Sequence, residues 1–298
     1  MDGIINILKP PGMTSFDVIA HLRRVLKTKK IGHTGTLDPD AAGVLPVCAG
    51  KATKAIEYMM EKDKLYRAEM VLGVSTDTQD SSGEITGKSE VRNSISEISD
   101  TILGFRGKYL QTPPMYSALK FNGKKLYELA REGITIERQA REVNIYELKV
   151  LDISRAEATV KVVFDISCSK GTYIRTLCSD IGDRLGCGGH MSFLLRMKAG
   201  EFDISSSVTL EEVEASVAQN NLDSKIVAVE EVFRNYNKIQ LSHNETKKYI
   251  NGVIFSLNRE DIQEGEAAVF DNDNRFLGIG SVSMTSEGTM LKSKKLFL

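Results

Sequence analysis

The chain has 298 residues, of which 41% are hydrophobic and 27% charged, with a formal net charge of −1 and an isoelectric point near 6.5. That length supports one large domain with a small second one and a sizeable buried core. No run approaches the ~18–20 apolar residues of a bilayer span, the start Met1-Asp2-Gly3-Ile4 lacks the layout of a signal peptide, and the total charge argues against a strongly basic nucleic-acid binder.

A cytoplasmic protein is therefore expected, with no membrane association. The charge is unevenly spread. Residues 210–298 carry 10 Lys and Arg against 14 Asp and Glu, and the remainder carries 29 against 26, which leaves room for a basic face on the larger part. Cys48, Cys168, Cys178 and Cys187 form no Cys-x-x-Cys pair and have no histidine at zinc-ligand spacing, so free thiols and no metal are expected.

Gly3 to Leu8 is a short apolar run that predicts a strand, ended by Lys9-Pro10-Pro11-Gly12. Thr14 or Ser15 can cap a following helix in which Phe16, Ile19, Leu22 and Leu26 recur at helical spacing. Its basic end, Arg23, Arg24, Lys27, Lys29 and Lys30, suits either the helix dipole or a phosphate contact. Gly32 to Gly50 predicts a long ordered loop, and Ala52 to Glu61 a helix. Lys64 to Leu72 alternates as a strand, with Tyr66, Ala68, Met70 and Leu72 on one face. Ser75 to Gly83 is a polar turn. Ile95, Ile98 and Ile102 mark a helix, and Asn122 to Glu132 predicts another, with Gly133 past its end.

Val143 to Ile153 and Ala158 to Ser167 predict paired strands. Ser169-Lys170-Gly171 then turns into a helix over Tyr173 to Leu185, followed by a strand over Phe193 to Phe202 and a short helix over Leu210 to Ala218. This order, without a regular βαβ rhythm, predicts an α+β domain with a mixed or largely antiparallel sheet. A connector over Asn220 to Asn237 leads to a small, mostly β unit. It has a helix near Asn244 to Ile250, strands around Ala267–Phe270 and Phe276–Val282 joined by Asp271-Asn272-Asp273-Asn274, and a last strand over Thr289 to Phe297.

Asp38 lies in Gly32-His33-Thr34-Gly35-Thr36-Leu37-Asp38-Pro39. Alone, Asp-Pro is a turn step. Among glycines that let backbone approach a ligand closely, the carboxylate can also serve as nucleophile, base or metal ligand, the last with only Asp40 as a second carboxylate nearby. His33 is either a structural histidine or a partner for a nucleobase. Tyr66, beside Lys64 and Arg67, is either core or a base-stacking platform flanked by phosphate contacts. Arg175 falls in the first turn of its helix, where the dipole disfavours a cation. A carboxylate such as Asp38 would compensate through a two-pronged contact that lowers the carboxylate pKa. Gln111-Thr112-Pro113-Pro114-Met115-Tyr116-Ser117-Ala118-Leu119-Lys120 is a stiff segment suited to a loop at the edge of a substrate site.

In this order, Leu8 to Ser15, Gly32 to Pro46, Lys64-Leu65-Tyr66-Arg67, Pro113 to Ala118, Ser169 to Arg175 and Gly186-Cys187-Gly188-Gly189-His190 give a chain that resembles the TruB-type tRNA pseudouridine synthases. These isomerise the position-55 uridine in the T arm of tRNA. The resemblance implies a pseudouridine-synthase-like catalytic domain over 1–235 and a PUA-like RNA-binding domain over 236–298. It implies Asp38 as the catalytic aspartate, Arg175 as its partner and Tyr66 as the tyrosine packing on the flipped base. It groups His33, Lys9, Lys64 and Tyr173 as substrate-binding, with Lys9 and its turn packing beneath the site. Ala42 departs from the Ser or Thr more usual there. The implied reaction needs no cofactor or metal. The compact chain suits a monomer that acts on tRNA without a guide RNA, and prying open the tRNA elbow suits an accompanying RNA-folding role. A hydrolase with an aspartate nucleophile finds no accompanying acid or metal in the chain.

Overall fold

The computed structural model describes residues 1–257, 259, 262–286 and 288–298. Its larger part is built on a nine-stranded mixed sheet. The main order is Gly3–Lys9, Ala42–Ala49, Gly189–Ala199, Lys64–Leu72, Thr159–Cys168, Arg141–Ala156 and Gly107–Gln111, with Ile31–His33 and Phe202–Asp203 on side branches. Neighbours run antiparallel except where Leu195 and Arg196 meet Ala42 and Gly43 in parallel. The Lys64–Leu72 strand shows why the sheet forms. Tyr66, Ala68, Met70 and Leu72 are buried on one face. On the other, Arg67 lies opposite Asp165 in the next strand, and Nε and Nη2 grip its carboxylate at 2.7 and 2.9 Å. Helices Ile95–Leu103 and Ile174–Arg184 cover the apolar face through Ile98, Ile102, Leu177, Cys178 and Ile181. All four cysteines are buried free thiols.

Several local expectations are corrected. The long loop over Gly32–Gly50 contains two strands, Ile31–His33 and Ala42–Ala49, which leaves only 34–41 irregular. Gly43 and Pro46 within an apolar run hid the second strand. Gly43 is needed there, because a Cβ would lie 2.2 Å from the Arg196 carbonyl oxygen, and its φ is +116°. Phe16 does not join the core and is 64% exposed beneath the Arg23 guanidinium. Ser15 turns inward in its place, with Val18, Ile19 and Leu22. Thr14 caps this Ser15–Val25 helix in a reciprocal box with Asp17.

The Ala52–Glu61 helix begins as a 3₁₀ turn over Gly50–Ala55 and becomes α-helical over Ile56–Met60. The Asn122–Glu132 helix is confined to Leu126–Arg131, because Asn122-Gly123 turns a small hairpin between Lys120–Phe121 and Lys124–Lys125. The polar turn after Ser75 lies within a second small ladder, Val74–Thr76 against Ile85–Lys88.

Among the described residues the C-terminal unit is a five-stranded sheet in the order Asn237–Gln240, Gly265–Phe270, Phe276–Thr285, Gly288–Leu296 and Phe255–Leu257, with the helix His243–Ile250. Ile239, Tyr249, Leu257, Val269 and Leu291 form its core. The segment leading to it is docked against both parts. Phe233 is 1% exposed and packs on Tyr58 of the larger part and on Tyr236, Phe276 and Phe297, with ring centroids 5.1–5.6 Å apart.

Candidate active site

Residues 34–41 project from the sheet between the Ile31–His33 and Ala42–Ala49 strands and are pinned from three sides. Ser15, 1% exposed, accepts the Leu37 N–H at 2.9 Å. The Gly12 N–H reaches the Pro39 carbonyl at 2.9 Å, and the Ala41 N–H closes onto the Asp38 carbonyl at 3.1 Å. Lys9 is fully buried, and its ammonium donates to the carbonyls of Pro10, Met13 and Pro39 at 2.8, 2.5 and 2.9 Å. With every donor committed, Lys9 supports the loop from beneath, and its grouping with substrate-binding residues is corrected accordingly. Burial lowers its pKa to about 8, against the pull of Asp40 and Asp38.

On this braced loop the Asp38 side chain remains about one-third exposed, at 35%. Arg175, in the first turn of the Ile174–Arg184 helix, meets it with two prongs, Nε to Oδ2 at 2.9 Å and Nη2 to Oδ1 at 3.2 Å. The guanidinium is 7% exposed at the side chain and is otherwise saturated. Nη2 also donates to the Tyr116 carbonyl at 2.8 Å, and Nη1 donates to the Thr78 carbonyl at 3.2 Å and lies 3.5 Å from Asp80. Arg175 thus sits between two carboxylates.

Asp80 is itself held by the Thr78 and Ser82 hydroxyls, each at 2.6 Å. The pairing was expected to lower the Asp38 pKa. The balance is the reverse: burial raises it, the Arg175 charge lowers it, and the second carboxylate, Asp80, raises it again. Asp38 is consequently a more basic carboxylate than a free aspartate, clamped in one orientation.

Tyr66 is 9% exposed and shares the apolar cluster that includes Leu37 and Ala41. Burial raises its phenol pKa, with the Arg196 guanidinium pulling the other way. His33 is half-buried, and its Nδ1 accepts the Gly35 N–H at 3.3 Å. Burial and then the Arg196 charge lower its pKa, so the ring is neutral at pH 7. Tyr173 precedes the helix beside Arg175 and Asp38, and burial raises its phenol. The Lys64 ammonium binds the Lys62 carbonyl and, at 2.8 Å, the Met60 carbonyl, and burial lowers its pKa to about 8. Two of its three donors are engaged in this way, and the side chain is half-buried.

Two residues that sequence reasoning passed over complete the arrangement. Asp80 was submerged in the polar run from Thr76 to Ser82. Arg196 is 2% exposed, with Nε on the Val44 carbonyl at 2.7 Å and Nη2 on the Gly35 carbonyl at 3.1 Å. Its signal was a cation at an inward position of a strand, two residues from buried Leu194.

Among the described residues no three His, Cys, Asp or Glu side chains converge as a metal site. What the geometry offers is an oriented carboxylate at the surface of a braced loop, with aromatic and imidazole groups around it.

The same chain matches two family models in adjoining segments. Residues 23–174 match the N-terminal domain of the TruB family of pseudouridylate synthases, and residues 175–236 match the tRNA pseudouridylate synthase B C-terminal domain. The chain belongs to the TruB family.

Similar proteins include the tRNA pseudouridine synthase B of Alkaliphilus oremlandii, 50% identical over 95% of this chain and 93% of that one. The protein of the same description from Clostridium acetobutylicum is 46% identical over 95% and 96%, and that from Clostridioides difficile is 45% identical over the full length of both. The fold is shared with a chain in an H/ACA RNP bound to a substrate RNA containing 2′-deoxyuridine, at a TM-score of 0.75 and 24% identity, covering 99% of this chain and 85% of that one. A chain of a Cbf5-Nop10-Gar1 complex matches at 0.73 and 26%, with the same coverage. As a TruB-family member the chain is an isomerase. Its five-stranded C-terminal unit lies beyond both matched segments.

Proposed function

We propose that this TruB-family enzyme converts the uridine at position 55 in the T arm of tRNA into pseudouridine, with Asp38 as the essential carboxylate. The observation that carries this reading is the two-pronged Asp38–Arg175 pair on a loop braced by Ser15, Lys9 and Arg196. The naming of relatives at 45–50% identity as tRNA pseudouridine synthase B supports tRNA as the substrate.

A uridine inside folded RNA must be swung out of its stack, at a cost of a few kcal/mol. Stacking on an aromatic ring returns ~1–3 kcal/mol. In this reading Tyr66 backs the extruded base, while neutral His33 and Tyr173 hold neighbouring nucleotide groups. The bond between the ribose C1′ and N1 breaks, the ring turns, and C1′ bonds to C5. The C5 hydrogen leaves as a proton and N1 gains one, so atoms balance without an added oxidant, reductant or cofactor. Asp38, fixed by Arg175, supplies the carboxylate to this sequence as nucleophile or base.

In this reading the chain divides into a catalytic domain over 1–235 and a PUA-like RNA-binding domain over 236–298, which the change of sheet at Asn237 supports. The enzyme acts as a monomer in the cytoplasm, without a guide RNA. None of its described helices is long and apolar enough to cross a membrane.

The deciding experiment uses a T-arm stem-loop RNA labelled with tritium at uridine C5. The purified wild-type chain alone releases the label. Asp38→Asn loses release by at least ~10²–10⁴-fold, while its RNA affinity stays within about threefold. Residual release near wild type sinks the reading. A substitution that also leaves tRNA refolding intact separates an RNA-folding role from catalysis.

A further inference from the structure

The Ile174–Arg184 helix carries Arg175 but has a weakly secured start. Its N-cap residue, Tyr173, makes no side-chain capping bond, and no acidic residue stands in the first turn. A helix beginning this way leaves its first N–H groups unsatisfied and places a cation at the positive end of the dipole. The register and tilt of the first turn, and with them the Arg175 guanidinium, must be fixed from elsewhere.

Gln111 occupies that position. It ends the Gly107–Gln111 edge strand, is 1% exposed, and lies 62 residues from Tyr173 in sequence. Its side-chain amide bonds the Tyr173 peptide twice: Oε1 accepts the Tyr173 N–H at 2.8 Å, and Nε2 donates to the Tyr173 carbonyl at 3.0 Å. The side chain thereby pairs with Tyr173 as a neighbouring strand would. The Tyr173 N–H and carbonyl fix which way the amide faces, and a third contact runs from Nε2 to the Tyr109 hydroxyl. Past Gln111 the chain is stiffened by buried Pro113 and Pro114 and reaches Tyr116, whose carbonyl accepts from Arg175 Nη2 at 2.8 Å. One short segment therefore holds Arg175 both at the root of its helix and at its head.

We infer that Gln111 is a positioning residue for the isomerisation: its amide sets the first turn of the helix so that Arg175 meets Asp38 with both prongs. The inference rests on the reading of Asp38 as the essential carboxylate. Gln111 bonds the Tyr173 peptide and not Asp38, so its effect on the carboxylate passes through Arg175.

Gln111→Met keeps the side-chain length and removes both bonds to Tyr173. Gln111→Glu keeps the acceptor for the Tyr173 N–H and loses the donor. Single-turnover rates on the T-arm stem-loop, RNA affinity and the pH dependence of the rate are measured for both, beside wild type and Asp38→Asn. The expected result for Gln111→Met is a rate lowered about 10- to 100-fold, as small misplacements of catalytic groups produce, with RNA affinity within twofold. Gln111→Glu falls between Gln111→Met and wild type.

The acid limb supplies the readout that a merely structural role would not move. Asp38 is faced by Arg175, Asp80 and Lys9, and Arg175 is the main group holding its pKa down. Loosening Arg175 therefore shifts the acid limb to higher pH in both variants. An unchanged rate in Gln111→Met overturns the inference, as does a lowered rate with an unmoved acid limb, or a loss confined to RNA affinity. Should Gln111→Met not fold, the rate and acid limb of Gln111→Glu are held to the same criteria. If wild type is inactive, or Asp38→Asn is as active as wild type, the underlying reading of the site fails instead.

Discussion

Replacing Arg175 by Met tests the electrostatic account of the site most directly. The guanidinium stands between Asp38 and Asp80, 2.9 and 3.5 Å from their nearest oxygens, and is 7% exposed. Removing it leaves two carboxylates facing a gap without a cation, and the Thr78 and Tyr116 carbonyls without this donor. Breaking a buried pair by deleting one partner costs about 3–5 kcal/mol. Because Asp38 is about one-third exposed, its share is discounted for solvent screening, and about 3 kcal/mol at pH 8 is expected. With a urea dependence near 3 kcal/mol per molar, the unfolding midpoint falls by about 1 M.

The sign of the pH dependence follows from the same contacts. Burial already raises the folded-state Asp38 pKa, and without Arg175 it rises further above the unfolded value. The folded variant then binds more protons than the unfolded chain, and its stability falls as pH rises through that window. The penalty is accordingly smaller at pH 5 than at pH 8, and adding Asp80→Asn to Arg175→Met recovers part of it. Urea titrations followed by far-ultraviolet circular dichroism at the two pH values measure this. A loss below about 1 kcal/mol, or an equal loss at both pH values with no recovery from Asp80→Asn, refutes the reasoning.

Gly43→Ala should cost about 3 kcal/mol or more and give largely insoluble protein, since its Cβ would meet the Arg196 carbonyl oxygen at 2.2 Å. Wild-type solubility and melting temperature would contradict the parallel contact drawn there. His33 should titrate below its ordinary value of 6.5 by proton NMR, because burial and the Arg196 charge both disfavour its cation. Its depressed pKa makes stability fall as pH drops through 6.5 towards the folded value, and a resonance titrating above 6.5 contradicts this. Phe233→Ala should cost about 3–5 kcal/mol and expose the chain near residue 236 to limited proteolysis, because that ring joins the two sheets. Unchanged protease resistance would show that the join lies elsewhere.

The regular elements were legible where pattern and burial agree. The Lys64–Leu72 strand and the Leu210–Ala218 helix run as the alternation and the helical spacing predict. The motif order placed Asp38 and Arg175 together before any geometry was known, and a cation in a helix's first turn was a physical reason to seek its anion. What stayed hidden depended on partners remote in sequence. Nothing near Gly43 announces that the backbone of Arg196 passes against it. Nothing near Phe16 shows that Ser15 is drawn inward by the Leu37 amide. The pKa direction of Asp38 was misjudged because an ion pair was weighed without the burial around it or the second carboxylate, Asp80, on the same guanidinium.

The two buried arginines divide the work of the site. Arg175 acts on a side chain: it fixes the Asp38 carboxylate, and Asp80 on its far side keeps it from neutralising that carboxylate fully. Arg196 acts on the backbone, holding the Val44 and Gly35 carbonyls so that the loop bearing Asp38 leaves the sheet in one conformation. Its charge also reaches both flanking groups, disfavouring the His33 cation and lowering the cost of ionising the Tyr66 phenol. A neutral replacement such as Arg196→Met would therefore loosen the loop geometry and the tuning of Tyr66 and remove one of the two causes that lower the His33 pKa, burial being the other. Arg175→Met strikes first at the carboxylate. A site that keeps one carboxylate basic, one imidazole neutral and one phenol protonated on a surface meant for RNA needs its cations buried beneath it, where phosphates cannot claim them. Both arginines meet that condition.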